Sequence, residues 1–275
     1  MGRHLQAARV AAGLTQQELC QKADISYSTL AKIERGAIKS PSVFTVQRLS
    51  EVLGLSLDGM MGNTHGAAHS QKGRSRTGVS FVYFDINGCL VRFFHRAFTE
   101  MARDTQAPAD AIESAFWHHN DAICRGEIGL DEFNALLAEQ LGVDTIDWQK
   151  YYMASVDAIH EMHDVVTWAA QHYRIGLLSN IMPGFIDAMV ATGLLPVLSY
   201  DVIVDSSAVG AIKPERKIYD IAQERANVPP EEILFVDDSR TNLMAAEKLG
   251  WHVMWFDDFR PEESADRVKN ALDPI

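Results

Sequence analysis

The side chains with the clearest chemical potential are carboxylates that follow short apolar runs. Asp85 comes directly after Val79–Phe84, and Asp237 and Asp238 come directly after Ile233–Val236. A carboxylate at the carboxyl end of a buried strand lies where open α/β sheets bind ligands. Two adjacent carboxylates repel each other unless a cation lies nearby, and Mg²⁺ prefers hard oxygen ligands. These residues therefore predict a site for Mg²⁺ and an anionic ligand.

Polar residues suited to phosphoryl oxygens follow other segments of the same kind. Ser179 and Asn180 follow the apolar run Ile175–Leu178 and can offer a hydroxyl group and amide groups. Lys213 precedes a helix predicted to begin near Glu215, so its positive charge lies beside the positive end of that helix. Ser179, Asn180 and Lys213 are therefore the predicted phosphate-binding residues.

The elements that must position these residues alternate along the chain after residue 78. Apolar runs separated by amphipathic segments are typical of a doubly wound parallel sheet with flanking helices. Residues of about 94–158 interrupt this alternation with helical spacing. We therefore predict an α/β domain over 79–275, with a helical cap inserted after the first strand. The predicted strands are Val79–Phe84, Arg174–Leu178, Val202–Val204, Ile233–Val236 and His252–Phe256.

Residues 1–61 predict a separate all-α domain, so the chain is multidomain. Thr15 and Glu18 form a capping-box pattern at the start of one helix, and Ser26 can cap a second helix that ends before Gly36. Four polar side chains lie near the start or on the outer side of the second helix, where a recognition helix reaches DNA. They are Ser26, Tyr27, Ser28 and Lys32.

The composition separates the two domains and limits the function classes. Residues 62–78 contain four Gly, three basic residues and no acidic or large apolar residue, which predicts a flexible linker. Residues 1–78 carry ten Lys or Arg against five Asp or Glu, although the whole chain has a net charge of −12. A basic head on an acidic body is expected where only the head contacts DNA.

Two further features favour a cytoplasmic protein. The chain has 47% hydrophobic residues but no apolar run of the roughly 18–20 residues that a membrane span requires, so we expect no membrane partner. Its three cysteines lie far apart in the sequence, which argues against a disulfide framework and against a zinc site.

The first domain carries a recognisable pattern. The segment LTQQELCQKADISYSTLAKIERG, with the Ser-Pro pair and the helix that follow it, resembles the Cro/XRE-type helix-turn-helix of phage repressors over residues 3–61. The resemblance implies binding to double-stranded DNA, and a homodimer, because such domains usually bind as two-fold pairs. A helical domain used only for protein contacts is the alternative. The predicted DNA-binding residues are Gln16, Ser26, Tyr27, Ser28, Lys32, Lys39 and Ser40.

The second domain resembles subfamily I of the haloacid dehalogenase (HAD) superfamily over roughly residues 79–258. Four motifs follow predicted strands in the expected order: DINGCL from 85, Ser179-Asn180, DSSAVGAIKPERKIY from 205 and DDSRTN from 237. A fifth match, RGEI at 125–128, falls in the predicted cap. The resemblance implies a Rossmannoid fold and phosphoryl-transfer chemistry.

The resemblance also implies a role for each site residue. Asp85 is the implied nucleophile that forms an aspartyl-phosphate, and Ser179 and Lys213 hold the phosphoryl oxygens. The implied cofactor is Mg²⁺, and its implied ligands are the side chain of Asp85, the backbone carbonyl of Asn87 and the side chain of Asp238, with Asp237 assisting and Asn242 supporting them.

Asn87 departs from the superfamily's pattern. HAD phosphatases generally have a second Asp two residues after the nucleophile, which protonates the leaving oxygen and later deprotonates water. Asn87 can donate a hydrogen bond but cannot exchange a proton, and loss of a general acid–base typically costs about 10²–10⁴ in rate. The candidate catalytic residues are Asp85, Asn87, Ser179 and Lys213.

These observations predict a DNA-binding transcriptional regulator. Its HAD-like domain is expected to bind Mg²⁺ and a small phosphorylated metabolite, as a sensor or as a weak phosphatase. One alternative is an active Mg²⁺-dependent phosphatase with an autoregulatory DNA-binding domain. A metal-free dehalogenase and a DNA-tethered scaffold are two further alternatives.

Overall fold

A computed structural model describes most of the chain. The described residues are 14–38, 41–53 and 72–272, together with Gly2, Leu5, Gln6, Arg9 and Ala12. Two compact units are present, Met1–Gln71 and Lys72–Ile275. Lys39, Ser40 and residues 62–71 of the predicted linker lie outside the described residues. Within the described ranges, no helix is both long enough and apolar enough to cross a membrane.

Helix capping shapes the first unit. The hydroxyl of Thr15 accepts a hydrogen bond from the Glu18 amide at 3.2 Å, and the Glu18 carboxylate accepts one from the Thr15 amide at 2.7 Å. The hydroxyl of Ser26 accepts a hydrogen bond from the Thr29 amide at 3.1 Å. Both predicted caps are therefore confirmed. The helices are α1 (Gln16–Ala23), α2 (Tyr27–Glu34) and α3 (Val43–Leu53).

The first unit packs an apolar core beside a buried ion pair. The core includes Leu19, Leu30 and Leu49, one from each helix. Arg9 Nε donates to Glu34 Oε1 at 2.7 Å, and both side chains are buried. A buried carboxylate needs such a partner, because an unpaired charge is strongly unfavourable away from water. The pair therefore fixes the end of α2 against the segment that precedes α1.

The second unit is built on a five-stranded parallel sheet with the order β3-β2-β1-β4-β5. The first strand is central, and the two strands that flank it, β2 and β4, are paired to it in parallel. The predicted doubly wound sheet is confirmed. The strands are β1 (Phe81–Phe84), β2 (Arg174–Ser179), β3 (Val202–Asp205), β4 (Ile233–Asp237) and β5 (His252–Trp255).

Helices surround this sheet and form the cap. The cap follows β1 and consists of α4 (His95–Thr105), α5 (Ala109–Cys124), α6 (Leu130–Leu141) and α7 (Trp148–Ser155). The helices that follow it are α8 (His160–His172), α9 (Phe185–Thr192), α10 (Ser206–Val209), α11 (Arg216–Ala226), α12 (Arg240–Glu247) and α13 (Pro261–Ala271).

Lys72 and Arg74, near the end of the predicted linker, form ion pairs with the second unit. Arg74 Nη2 lies 2.5 Å from Glu232 Oε1, and Lys72 Nζ lies 3.3 Å from Asp201 Oδ2. The basic side chains that suggested a solvated linker are thus paired with carboxylates of the second unit. The part of the predicted linker from Lys72 onward therefore belongs to the second unit, and the linker itself stays a prediction.

Candidate functional site

Parallel pairing brings the predicted carboxylates together. Phe84 lies beside Val236 in the sheet, so Asp85 and Asp237 leave neighbouring strands at the same edge. Asp85, Asp237 and Asp238 each have a carboxylate oxygen within 4.8 Å of the other two. Asp85 and Asp237 are buried and Asp238 is half-buried. The edge of the sheet therefore concentrates three carboxylates in a poorly solvated place.

Lys213 is the counterion of this cluster. Its Nζ lies 2.8 Å from Asp85 Oδ1 and donates to Asp237 Oδ2 at 2.6 Å. Only 3% of Lys213 is exposed. Burial alone would lower the pKa of Lys213, but the charges of Asp237 and Asp85 outweigh it and raise the pKa. The ammonium group therefore remains charged between the two carboxylates.

The two oxygens of Asp85 have different surroundings. Oδ1 accepts hydrogen bonds from the Ser179 hydroxyl and the Ile86 amide, each at 2.7 Å, in addition to its contact with Lys213. No described residue donates to Oδ2. The bonds to Oδ1 fix the orientation of the carboxylate, and Oδ2 is available to attack a phosphorus atom or to bind a cation.

Asp237 and Asp238 also differ. The carboxylate of Asp237 accepts from the Ser239 amide at 2.7 Å and from Asn242 Nδ2 at 3.1 Å, besides its bond to Lys213. No other described residue donates to the carboxylate of Asp238. Asp238 is therefore the better candidate metal ligand, whereas Asp237, oriented by Asn242, holds Lys213 in place.

Gly88 allows the loop after β1 to approach Asp238. Its φ is +83°, and a Cβ atom at this position would lie 2.2 Å from Asp238 Oδ2. A side chain here would need both an unfavourable backbone conformation and a displaced carboxylate. The glycine therefore allows the loop after β1 to lie close to the candidate metal ligand.

The protonation of the cluster fits a cation site. Burial raises the pKa of Asp85 to about 6, although Lys213 opposes the shift. Burial, and then the charges of Asp85 and Asp237, raise the pKa of Asp238 to about 7. A divalent cation would relieve this repulsion, and carboxylate oxygens are the ligands that Mg²⁺ prefers. The donor set therefore fits Mg²⁺.

Asn87 is held by the cap. Its Oδ1 accepts a hydrogen bond from the hydroxyl of Tyr152, which lies on α7 and is buried. Burial raises the pKa of Tyr152 well above its usual range, so the hydroxyl keeps its proton. With its oxygen engaged, Asn87 presents its Nδ2 amino group as a donor.

The side chain of Asn180 contacts the main chain of Lys213. Its Nδ2 donates to the Lys213 carbonyl at 2.9 Å, and its Oδ1 accepts from the Lys213 amide at 2.7 Å. Both ends of the side-chain amide are thus bound to the main chain of Lys213. The side chain of Asn180 therefore holds the main chain at Lys213, and its predicted contact with phosphate stays a prediction.

Tyr152 and Arg125 connect the cap to the site, and neither was predicted as a site residue. Tyr152 reaches Asn87 across 65 positions of the chain, and no local pattern marks such a contact. Arg125 lies in the RGEI match, and its Nη2 lies 2.7 Å from Glu215 Oε1. That motif is therefore the one sequence signal that pointed to the junction between the cap and the loop containing Lys213.

The predicted DNA-binding side chains lie on the surface of the first unit. Tyr27 is 53% exposed, and Ser28 and Lys32 are exposed and share a face of α2, four residues apart. The hydroxyl of Ser26 is engaged in capping α2. Gln16 donates its side-chain amide to the buried carboxylate of the ion pair at 2.6 Å. The exposed face of α2 is therefore the candidate DNA-binding surface.

Comparison with known protein families identifies both units. A family model for haloacid dehalogenase-like hydrolases matches residues 80–250, more than half of the chain. The chain belongs to the haloacid dehalogenase-like hydrolases. A helix-turn-helix model matches residues 5–60, so the predicted Cro/XRE-type domain is confirmed as the partner of the HAD-like domain in this chain.

Relatives of the HAD-like domain include a phosphatase. The chain is 28% identical to D-ribitol-5-phosphate phosphatase from Bacteroides thetaiotaomicron over 206 residues, covering 68% of this chain and 94% of that protein. It is 26% identical to acyl-CoA dehydrogenase family member 10 from Mus musculus over 204 residues, covering 70% of this chain. The match spans only 19% of the mouse protein's length.

A solved structure supports the fold. The structure of a HAD family enzyme from Bacteroides thetaiotaomicron, in complex with magnesium and inorganic phosphate, matches with a TM-score of 0.53. The sequences are 20% identical, and the match covers 65% of this chain and 94% of that one. At this identity the likeness establishes the HAD fold and nothing about the ligand of this chain.

Proposed function

We propose that the protein is a DNA-binding transcriptional regulator whose HAD-like domain binds Mg²⁺ and a phosphorylated small molecule. One observation carries the proposal: the charged residues expected to bind a phosphoryl group lie together, yet the position of the proton-exchanging residue holds Asn87, bound to Tyr152 of the cap. Such a site is suited to binding a phosphoryl group more than to turning it over. The fused helix-turn-helix supplies an output for binding.

Different residues of the site would bind Mg²⁺ and the phosphoryl oxygens. Asp85, Asp238 and the main-chain carbonyl of Asn87 would hold Mg²⁺, which when bound supplies positive charge against the phosphoryl oxygens. The hydroxyl of Ser179 and the ammonium group of Lys213 would donate to those oxygens. Since both already contact Asp85 Oδ1, a phosphoryl group bound there would lie next to the candidate nucleophile.

Asn87 would slow any reaction at this site. Its Nδ2 can donate a hydrogen bond to the leaving oxygen of an ester, but it has no proton to transfer near neutral pH. An aspartate at this position would restore proton transfer, which typically contributes about 10²–10⁴ in rate. This favours a sensor or a weak phosphatase over an efficient enzyme.

DNA binding would be the output of the sensor. The exposed side chains of Tyr27, Ser28 and Lys32 would enter the major groove, and a two-fold pair of chains would bind a palindromic site. A ligand of the HAD-like domain can change the affinity for DNA only if the ligand itself binds the DNA-bound and the free protein with different affinities. The two affinities then change by the same factor. We therefore expect coupling between the two binding events, in both directions.

Ligand-dependent DNA binding tests the proposal. A preferred duplex is first selected from random sequences with the full chain, and its affinity is then measured by fluorescence anisotropy with Mg²⁺, with and without beryllofluoride as a phosphoryl mimic. We expect the affinity to shift with both additions and not with either alone. Asp85→Asn is the control, since it removes the carboxylate to which the mimic would attach. An affinity indifferent to beryllofluoride and to phosphate esters would contradict the sensor.

An active phosphatase is the second candidate, favoured by the relative that acts on D-ribitol 5-phosphate. A panel of phosphate esters is assayed with wild type, Asp85→Asn and Asn87→Asp in Mg²⁺. The sensor predicts little wild-type turnover and a gain of about 10²–10⁴ in Asn87→Asp, because the missing acid–base is restored. Efficient wild-type turnover that disappears in Asp85→Asn would establish the enzyme instead.

A further inference from the structure

Asn87 affects the two halves of a phosphoryl transfer at this site differently. In the first half, Asp85 would attack phosphorus and the bond to the leaving oxygen would break. In the second half, water would attack phosphorus and free Asp85. The first half needs a proton only where the leaving oxygen is strongly basic, whereas the second half needs a base to take a proton from water. An amide can do neither, so the effect of Asn87 depends on the phosphate compound that is bound.

The surroundings of Asp85 favour the first half. The Ser179 hydroxyl and the Ile86 amide each donate to its Oδ1 at 2.7 Å, and Lys213 Nζ lies 2.8 Å from the same oxygen. These contacts leave Oδ2 as the oxygen that can attack. Because Ser179 and Lys213 contact the nucleophile itself, they can also donate to the oxygens of a phosphoryl group attached to it. The residues of the site are therefore suited to stabilise a phosphorylated Asp85.

The second half lacks a base among the described residues of the site. Asn87 is an amide, and the Tyr152 hydroxyl donates to it. Lys213 binds Asp237 through a hydrogen bond of 2.6 Å, and Asp238 is the candidate ligand of the cation. Water that approaches a phosphoryl group on the nucleophile would therefore meet no free base. Loss of a general acid–base typically costs about 10²–10⁴ in rate, so the phosphorylated state should be long-lived.

The leaving group decides whether the first half proceeds. The leaving oxygen of an alkyl ester becomes an alkoxide, which is about as basic as hydroxide because the pKa of water is about 15.7, so it needs a proton that Asn87 cannot give. The leaving oxygen of an acyl phosphate becomes a carboxylate with a pKa of about 4, which departs without a proton. Aspartyl-phosphate is itself an acyl phosphate, so transfer from such a donor exchanges one mixed anhydride for another.

We propose that Asp85 accepts the phosphoryl group of a small-molecule acyl phosphate and retains it, so that the phosphorylated chain is the signalling state. Asp85 Oδ2 forms the bond to phosphorus, the bond from phosphorus to the acyl oxygen breaks, and a carboxylate leaves with that electron pair. No proton is transferred and nothing is oxidised or reduced. The inference rests on the proposed function, because it names the class of donor and the form in which the HAD-like domain holds its ligand.

Intact-mass spectrometry of the full chain tests the inference. The protein is incubated in Mg²⁺ with acetyl phosphate, glycerol phosphate or inorganic phosphate, and the fraction that carries one phosphoryl group is followed after the donor is removed and samples are quenched in acid. We expect acetyl phosphate to phosphorylate the wild type and the other two compounds not to. The phosphorylated wild type should decay about 10²–10⁴-fold more slowly than phosphorylated Asn87→Asp, in which a base is restored.

Asp85→Asn removes the acceptor and should not be phosphorylated by any donor. Asp266→Asn is the matched control, because Asp266 is an exposed carboxylate on α13, and it should be phosphorylated as the wild type is. Should Asp85→Asn not fold, hydroxylamine treatment of the wild-type product decides, because it releases a phosphoryl group from a carboxylate and not from a hydroxyl group. The hydroxamate that it leaves must map to Asp85, and any other position rejects the inference.

DNA binding tests the signalling role. In the anisotropy assay with the selected duplex, acetyl phosphate should shift the DNA affinity of the wild type in the same direction as beryllofluoride, and the shift should persist after the donor is removed by gel filtration. Glycerol phosphate should give no shift that persists. A phosphorylated chain with the DNA affinity of the unmodified chain would overturn the signalling role.

The outcomes separate the inference from the proposed function. If neither beryllofluoride nor inorganic phosphate binds the wild type in Mg²⁺, the proposed function fails and the inference fails with it. If they bind but acetyl phosphate leaves the chain unmodified, or the phosphorylated wild type decays as fast as Asn87→Asp, the inference alone is overturned. Equal phosphorylation by glycerol phosphate would also overturn it, because the leaving group would then not decide the reaction.

Discussion

The loops at the edge of the sheet and helix α2 hold their functional side chains in opposite ways. At the edge of the sheet, Lys213 is 3% exposed and two carboxylates fix its position. On α2, Tyr27 is 53% exposed, and Lys32 is exposed with no ion pair among the described residues. The candidate phosphoryl site is therefore held by buried ion pairs, whereas Tyr27 and Lys32 on the candidate DNA-binding face are exposed. Substitutions at the edge of the sheet should therefore change ligand binding and the free energy of unfolding together. Substitutions of exposed side chains on α2 should change DNA binding without changing the free energy of unfolding.

The largest expected effect is that of Lys213→Met. Asp85 and Asp237 would then remain buried without a counterion, so we expect a loss of about 3–5 kcal/mol in the free energy of unfolding of the second unit. Phosphate binding should be lost in the same variant. Urea denaturation in the absence of Mg²⁺, combined with calorimetry, measures both quantities.

The control for this variant is Lys248→Met, which removes an exposed lysine just after α12. It should leave both stability and phosphate binding unchanged, because an exposed lysine makes little contribution to either. A Lys213→Met protein as stable as the wild type would show that the cluster does not depend on its counterion. The contrast between the two regions would then be lost.

The second effect concerns Gly88, whose missing side chain leaves space for Asp238. Gly88→Ala should destabilise the second unit by about 1–3 kcal/mol more than Gly184→Ala, because the first variant adds a clash to the unfavourable backbone conformation. Gly184 has a similar φ of +79°, and a Cβ atom added there would meet no heavy atom within 4 Å, so it isolates the backbone contribution. Mg²⁺ affinity should fall in Gly88→Ala alone. Equal effects of the two substitutions would show that the close approach is unimportant.

The residues of the candidate phosphoryl site could be predicted from the sequence where they lie at the end of a strand. Asp85, Ser179 and Asp237 were expected to meet because parallel strands end at one edge, and they do. The resemblance implied Asp238 as a metal ligand with Asp237 assisting, but the hydrogen bond from Lys213 to Asp237 was not predicted. The contact of Tyr152 with Asn87 depends on how the cap packs on the sheet, for which the local sequence carries no signal.

Helix α9 is an element of the fold that the sequence pattern did not reveal. Phe185–Thr192 is apolar at most of its positions and lacks the alternation of polar and apolar faces that marks a surface helix. The segment was therefore not assigned as a helix in advance. In contrast, Thr15 and Ser26 act on amides three residues away, and such local signals identify helix starts well.

A smaller effect is expected from Ser26→Ala. The hydroxyl of Ser26 caps α2, so its loss should destabilise the first unit by about 1 kcal/mol. Hydrogen exchange of the α2 amides is the appropriate measurement, because it reports on this helix alone. Faster exchange confined to the second unit would contradict the assignment. Because the Ser26 hydroxyl acts as a cap, unlike the exposed side chains of Tyr27 and Lys32, this substitution is the exception on α2, and DNA affinity should fall only as far as the helix is destabilised.

Lys32→Ala should have the smallest effect on stability and the clearest effect on DNA binding. Its side chain contacts no described residue through an ion pair, so the unfolding of the first unit should not change. Each phosphate neutralised by a lysine contributes about 0.9 to the slope of log affinity against log salt concentration, so the slope should become less steep by about one if Lys32 binds a phosphate. An unchanged slope with relaxed sequence preference would place Lys32 on a base edge instead. Unchanged affinity, slope and preference would remove Lys32 from the DNA-binding surface, and the exposed face of α2 would no longer differ in function from any other surface helix.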